Sequence, residues 1–511
     1  MKKNKAFTLI ELLAVIIILA IIALIATPVV IKVVDSAKES ARKSSVAGYA
    51  DAVKLAINEK VFETKGTSPV IDDTFLNNLN YQGTRVSCDE VKNTSNYGVI
   101  LKMCKVEKSD NIYCFAKGKV YNCEDQEFND IYDSIKEDIP SPIYLGFNEE
   151  KGVNAPQLIS GMTPIKWVSG VETETTVDDV DWYNYTNKSW ANAKTKDGSY
   201  WVWIPRYAYK ITSGWHQYSV GTIDVVFLKN DTVENNRNLE IKMSGYDASG
   251  INTSNAYFLE PAFQNETTNT KYGFWVAKFE MSNIKDLPKS VPNVSSLRSL
   301  AIGDIFTSAQ NMSQNIDYGW NQGSTDTHMM TNYEWGAVAY LSKSNFGKNS
   351  EVWINNSSTY TTGCAGISVS AKIYSGCQYT YDVSMGMMAS TTANITGVYD
   401  MSGGAFEYVS AYISNGNNLT QYGNSIINSI INKNIYNNIQ NIYGDAIYEI
   451  GAVGVGAWNS DYLNMPNSSY PWFARGGNNG FTSGAGLFAL TSTIGEGYGD
   501  FGFRVTVSQK Q

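Results

Sequence analysis

Residues 6–31 read AFTLIELLAVIIILAIIALIATPVVI, and the reading of this stretch decides what the rest of the chain hangs from. Lys2, Lys3 and Lys5 come just before it, and from Leu12 to Ile31 no residue carries a charge. At 1.5 Å per residue, about 20 apolar residues cross a hydrocarbon core roughly 30 Å thick. Lysines on the N-terminal side keep that end in the cytoplasm and send the C-terminus outside. A cleaved secretory signal would have a shorter apolar region closed by an Ala-x-Ala-like site, which is missing here. A plain anchor leaves Glu11 unexplained. A carboxylate deep in a bilayer costs on the order of 3 kcal/mol, so something has to neutralise it.

Working outward, Val33, Val34, Ala37, Ala41, Val46, Ala50, Val53 and Ile57 form one apolar stripe. The spacing predicts that the helix continues to the neighbourhood of Lys65 and Gly66, ahead of Pro69. Short alternating segments at residues 97–102 and 111–116 predict a small sheet lying on that helix. Cys88, Cys104, Cys114 and Cys123 cluster here, with Cys364 and Cys377 far downstream. An even count in an exported chain permits disulfides, four cysteines allow three pairings, and reduced thiols fit equally well. No CxxC spacing occurs, which disfavours zinc. The acidic stretch from Asp125 to Pro142 reads as a linker.

Beyond the linker, short aromatic strands alternate with Gly-, Asn- and Ser-rich loops. Residues 201–209 and 272–280 alternate like half-buried strands, and residues 331–341 read as a helix with Trp335, Val338, Ala339 and Leu341 on its apolar side. The fold class is therefore α+β, with an irregular, loop-rich C-terminal domain. A net charge of −9 with no basic patch outside the N-terminus argues against a nucleic-acid partner. Only His216 and His328 are present, too few for a histidine-built metal centre. Asp326, His328 and Glu334 are read as a helix-entry cap and surface charges rather than a metal triad. The glycines of 451–456 have neither the spacing nor the βαβ context of a nucleotide loop. Residues 417–443, rich in Asn and Ile, read as an inserted loop or amphipathic helix.

Residues 6–13, AFTLIELL, resemble the prepilin cleavage and methylation motif of type IV pilins and type II secretion pseudopilins. The resemblance implies cutting by a prepilin peptidase between Ala6 and Phe7 and methylation of Phe7. Glu11 would then pair with the freed amino terminus of a neighbouring subunit, which supplies the missing counter-charge. Pro28 falls where family members often carry a helix-softening proline. Ala6 departs from the family's usual Gly.

Five further segments resemble, in order, the formylglycine-generating-enzyme family of sulfatase-modifying factors, a branch of C-type-lectin-like folds. They are GFWVAKFEMS (273–282), MMTNYEWGAVAYL (329–341), GVYDMSGGAFEYVS (397–410), FARGG (473–477) and GFRV (502–505). That family's reactive cysteine pair follows its Arg-Gly-Gly segment, whereas residues 475–490 here contain no cysteine. Two histidines cannot supply the set its iron-dependent relatives use, so no catalysis and no cofactor are expected. Relatives bind calcium partly through the turn matched at 397–410. Glu407 remains there, but Gly404 stands in place of the Asn, which makes Glu407 a weak candidate ligand.

The organisation these readings give is a leader (1–6), a transmembrane and stalk helix (7–64), and a small Cys-containing head (65–125). A linker (126–150) and a sulfatase-modifying-factor-like, C-type-lectin-like domain (151–511) follow. The expected function is a minor or specialised type IV pilin-like subunit displaying a non-catalytic, adhesin-like head. The alternatives are a pseudopilin of a type II-like secretion or DNA-uptake apparatus, or a surface-protein-modifying enzyme. Expected partners are the prepilin peptidase, other pilin subunits, the membrane, and an extracellular glycan or protein. Trp472, Arg475, Asn478, Asn479 and Phe481 are the expected recognition surface, because aromatic and Asn side chains suit adaptable contacts. The chain is expected in the cytoplasmic membrane before assembly, with its C-terminal domain on a surface filament or pseudopilus.

Overall fold

The computed structural model describes residues 9–63, 71, 75–76, 78–79, 81, 83–94, 98–109, 111–136, 146–243, 256–264, 271–284, 287–320, 324–437, 442–452 and 455–510. The architecture is α+β, and the chain divides into two compact units, Met1–Asp138 and Ile139–Gln511.

The first unit is built on one helix, α1 (Leu9–Glu63), 55 residues long with Pro28 inside it. The stripe expected along its second half is buried only from Val46 onward: Val46, Ala50, Val53 and Ile57 are interior, whereas Val33 and Val34 are exposed. A four-stranded antiparallel sheet covers the buried part, with strands Val86–Thr94, Gly98–Val106, Ile112–Ala116 and Lys119–Asn122 in sequential order. Alternation along the second strand sets the two faces. Val99 and Leu101 pack with the α1 residues, while Ile100 packs with Phe128, Ile131 and Tyr132. Those three belong to the helix Gln126–Lys136. The segment expected as linker from Asp125 thus begins as a helix of the first unit, because its apolar residues fall on one face. Disulfides join Cys88 to Cys104 and Cys114 to Cys123. The expected helix end near Lys65–Gly66 lies outside the described residues. Among the described residues no helix is long and apolar enough to cross a membrane. Within α1 the side chains of Glu11, Ala23, Ile25, Ala26 and Val29 fall outside the described residues.

The second unit centres on a seven-stranded sheet. Its order is Thr325–Met329, Val505–Gln509, Gly273–Ala277, Tyr200–Pro205, Asn192–Thr195, Met162–Val168 and Val171–Glu174. Gly273–Ala277 and Tyr200–Pro205 lie inside this sheet, and every residue of both is buried. The expected half-burial is corrected here: side chains cover both faces of these interior strands. Trp203 and Trp275 sit opposite each other, ring centroids 5.4 Å apart. A second sheet joins Asn434–Tyr436, Phe406–Ile413, Trp472–Gly476 and Gly486–Thr493, with Phe501–Phe503 pairing Phe406–Ile413 in parallel.

The helix Asn332–Lys343 starts at an N-cap of Thr331, whose hydroxyl accepts from Glu334 N while the Glu334 carboxylate accepts from Thr331 N. This reciprocal capping is what its sequence predicts. The Asn- and Ile-rich stretch contains the helix Leu419–Asn428, which packs on the helix Ile302–Asn311; Ser425 Oγ donates to Gly303 O at 2.7 Å. A third disulfide joins Cys364 to Cys377.

Candidate functional site

Two places bear on function: the outer half of α1, and the loops at the end of the strand Trp472–Gly476. In the first, Leu12, Leu13, Ile16–Ile18, Leu19, Ile21, Ile22, Leu24 and Val30–Ile31 are each more than half exposed. An apolar helix face left uncovered is unstable in water, so this half requires lipid, other helices, or both. Pro28 is exposed within it. Ala6 and Phe7, and the side chain of Glu11, lie outside the described residues.

In the second place, the five expected recognition residues separate by burial. Trp472 and Arg475 are fully buried. The Arg475 guanidinium lies 5.8 Å from the Trp335 ring centre, and its Nη2 donates to Ala446 O at 3.1 Å. Burial lowers its pKa to about 10, with the Asp445 carboxylate opposing. Asn479 is also interior, its Nδ2 donating to Ser357 O at 2.6 Å. These three side chains build the turn from inside. Gly477 adopts φ +72°, and a Cβ there would lie 2.7 Å from Ala485 Cα, so only glycine fits.

Asn478 and Phe481 reach solvent in part. Asn478 donates to Asp500 Oδ2 at 2.9 Å and accepts from Gly480 N at 3.0 Å. Phe481 meets Phe406 and Tyr462 edge-on, with centroids 5.1 and 5.2 Å away. Around them stand Ile373, Tyr374 and Tyr462, exposed by 56%, 45% and 42%. These three were not among the expected residues. Ile373 and Tyr374 ride on the loop closed by Cys364 and Cys377, and that pair was the available signal.

The segments that carried the second resemblance meet in buried ionic clusters. Arg504 Nη2 and Nε donate to Glu407 Oε1 and Oε2 at 2.6 and 3.0 Å. Both carboxylate oxygens of the weak calcium candidate are therefore held by a guanidinium, which already supplies the positive charge. Burial raises the Glu407 pKa against the pull of Arg504. Glu280 and Asp400 lie beside this pair, and burial together with the Asp400 charge raises the Glu280 pKa well above the usual range. Lys278 is interior too, its Nζ directed at Asn192 Oδ1, Ile395 O and Gly397 O.

Asp326, His328 and Glu334 also come together. His328 is fully buried, with Nδ1 2.7 Å from Asp326 Oδ2 and Nε2 3.1 Å from both Glu334 oxygens. The helix-entry cap is as expected, but the surface placement is corrected: the sheet and the helix Asn332–Lys343 close over the imidazole. Lys271 Nζ adds a further pair to Glu334 at 3.1 Å. Among the described residues no group of three or more His, Cys, Asp or Glu side chains is arranged to hold a metal ion.

With this geometry in hand, residues 1–27 match the family described as the prokaryotic N-terminal methylation motif. The match supports a type IV pilin-like subunit. It implies processing by a prepilin peptidase, a membrane-anchored precursor, and assembly with other pilin subunits into a surface filament. Among solved structures, the Major Tropism Determinant M1 Variant aligns over 83% of this chain and 86% of its own at 12% identity. Its TM-score of 0.23 is too low to carry any argument about fold. No curated protein matches the chain.

Proposed function

We propose that this chain is a minor or specialised type IV pilin-like subunit whose large unit is a non-catalytic, ligand-binding head outside the membrane. The observation that carries the proposal is the methylation motif at 1–27, continued by a helix half whose described apolar side chains are exposed. The uncharged run from Leu12 to Ile31 has the length of a membrane span. In a filament the same surface packs against neighbouring helices, and Glu11 meets the amino terminus of an adjoining subunit.

A C-type-lectin-like head, related to sulfatase-modifying factors, is supported by the five ordered segments and by the buried side chains they contribute. Its ligand surface includes Asn478 and Phe481 with the neighbouring Ile373, Tyr374 and Tyr462. The non-catalytic reading is supported by the pairing of all six cysteines, which leaves no thiolate nucleophile. The directed hydrogen bonds of Lys278 support it further.

Mass spectrometry and N-terminal sequencing of the mature protein test the assembly reading. The expected product begins at methylated Phe7, and Glu11→Ala is cleaved yet excluded from filaments. A mature chain that keeps Lys2, Lys3 and Lys5 would refute it.

A further inference from the structure

The hairpin joining the strands Tyr207–Ser213 and Thr222–Phe227 carries an aromatic shelf that the reading above does not use. Its tip, residues 214–221, reads GWHQYSVG, and from Ile211 to Ile223 the sequence has no Asp, Glu, Lys or Arg. The tip is pinned in place. Trp458 Nε1 donates to Gly214 O at 2.9 Å, and a Cβ on Gly221 would lie 2.1 Å from Trp458 Cζ2. His216 N donates to Glu449 O at 2.8 Å.

The rings are ordered by this frame. Trp215, half-buried, stacks on Tyr443 with centroids 5.3 Å apart. His216, exposed, lies over Tyr448 at 4.4 Å. A backbone carbonyl only accepts, so the 2.9 Å contact between His216 Nδ1 and Tyr448 O places a proton on Nδ1. In the neutral ring Nε2 then keeps its lone pair, and it has no partner among the described residues. Tyr218 is 58% exposed, and its hydroxyl also lacks a partner among the described residues. On the flanking strands the hydroxyls of Thr212 and Ser213 contact Thr222 Oγ1 at 2.6 and 2.7 Å.

Trp215 and His216 are fixed by their ring partners, and aromatic faces set beside unsatisfied polar tips suit partners that are apolar on one face and hydroxylated at the edge. A tip without formal charge gives no counter-charge to sulfate, phosphate or carboxylate. We propose that this hairpin tip binds a neutral pyranoside. A ring face packs on the C–H face of the sugar, and His216 Nε2 accepts from one of its hydroxyls. The inference rests on the reading of the large unit as ligand-binding, and adds a place and a ligand class to it.

The test uses the full chain in detergent micelles on a glycan array carrying neutral, sialylated and sulfated sugars, with a collagen-coated surface alongside. Neutral glycans are expected to be retained. Tyr218→Ala and His216→Ala, both at exposed positions, each weaken that binding by about tenfold, equivalent to about 1.4 kcal/mol. Ile316→Ala, at a position 70% exposed and on neither candidate surface, leaves it within about twofold. Neutral-glycan binding that survives combining Tyr218→Ala with His216→Ala, or retention of sialylated and sulfated glycans only, overturns the inference and leaves the ligand-binding reading standing. Retention on collagen with no glycan bound does the same. Retention of nothing overturns both.

Discussion

The two units bury charge in opposite ways. In the small unit the interior is a few aliphatic and aromatic side chains on either face of one sheet, and two disulfides cross it. Among the described residues, none of the buried polar or charged side chains belongs to it. The large unit buries Arg206, Lys278, Glu280, His328, Glu334, Asp400, Glu407, Glu449, Arg475 and Arg504 among many tryptophans. The difference follows from scale. A small core buries too little apolar surface to offset the desolvation of an ion, so restricting the unfolded chain is the accessible route to stability. A large core holds ions to which it offers partners, completely at Arg504 and only in part at Arg475, whose Nε and Nη1 have no hydrogen-bond partner among the described residues. Arg504 donates to Ala277 O and Tyr399 O as well as to both oxygens of Glu407.

The sharpest way to break this contrast is Arg504→Ala. It leaves Glu407 buried without its cation and empties the space between two sheets. A loss of about 3–5 kcal/mol from the large unit is expected, read as a fall in the denaturation midpoint of the full chain. A loss below about 1 kcal/mol would mean that the ion pair is not integral to this core. The next largest effect belongs to the small unit. Replacing Cys114 and Cys123 by Ser is expected to cost about 2–4 kcal/mol through loop-closure entropy. Calorimetry should show the small unit's transition moving down while that of the large unit stays. A shift confined to the large unit would contradict the division of labour.

How much of this was legible in the sequence depended on how local the controlling physics is. The methylation motif was readable because it is carried by consecutive residues, and the family match covers 1–27. The helix Asn332–Lys343 was readable for the same reason: Thr331 and Glu334 cap it within one turn. The strands at 200–205 and 273–277 were located, but their double-sided burial was not, because it depends on which distant segments cover each face. Trp472 and Arg475 looked like recognition residues in a Gly- and Asn-rich stretch, yet the covering chain, including Ala446 and Trp335, comes from elsewhere. The hairpin tip at 214–221 escaped notice for the converse reason. Its place depends on contacts from far along the chain, from Trp458 to Gly214 and from Glu449 and Tyr448 to His216.

His328 gives the mildest and most selective probe of the contrast. Burial pulls its pKa down, but the carboxylates of Glu334 and Asp326 outweigh that and raise it to about 9. Lys271 faces the same carboxylate from the other side, while Thr331 N and Oγ1 donate to Glu334 and Asn432 donates to Asp326. Because the folded pKa lies above the unfolded 6.5, the stabilisation is complete below about pH 6.5 and is lost as pH rises through about 9. Glu449 works in the same direction: burial pushes it up to about 8, so its contribution also fades with rising pH. The large unit should therefore weaken on the alkaline side, each proton contributing at most about 1.4 kcal/mol per pH unit. Midpoints measured from pH 6 to 10 should fall for the large unit, and His328→Gln should flatten that slope whatever its effect on absolute stability. An unchanged slope in His328→Gln would assign the alkaline weakening to Glu449 and its neighbours, and would leave the imidazole as an uncharged packing element between the sheet and the capped helix.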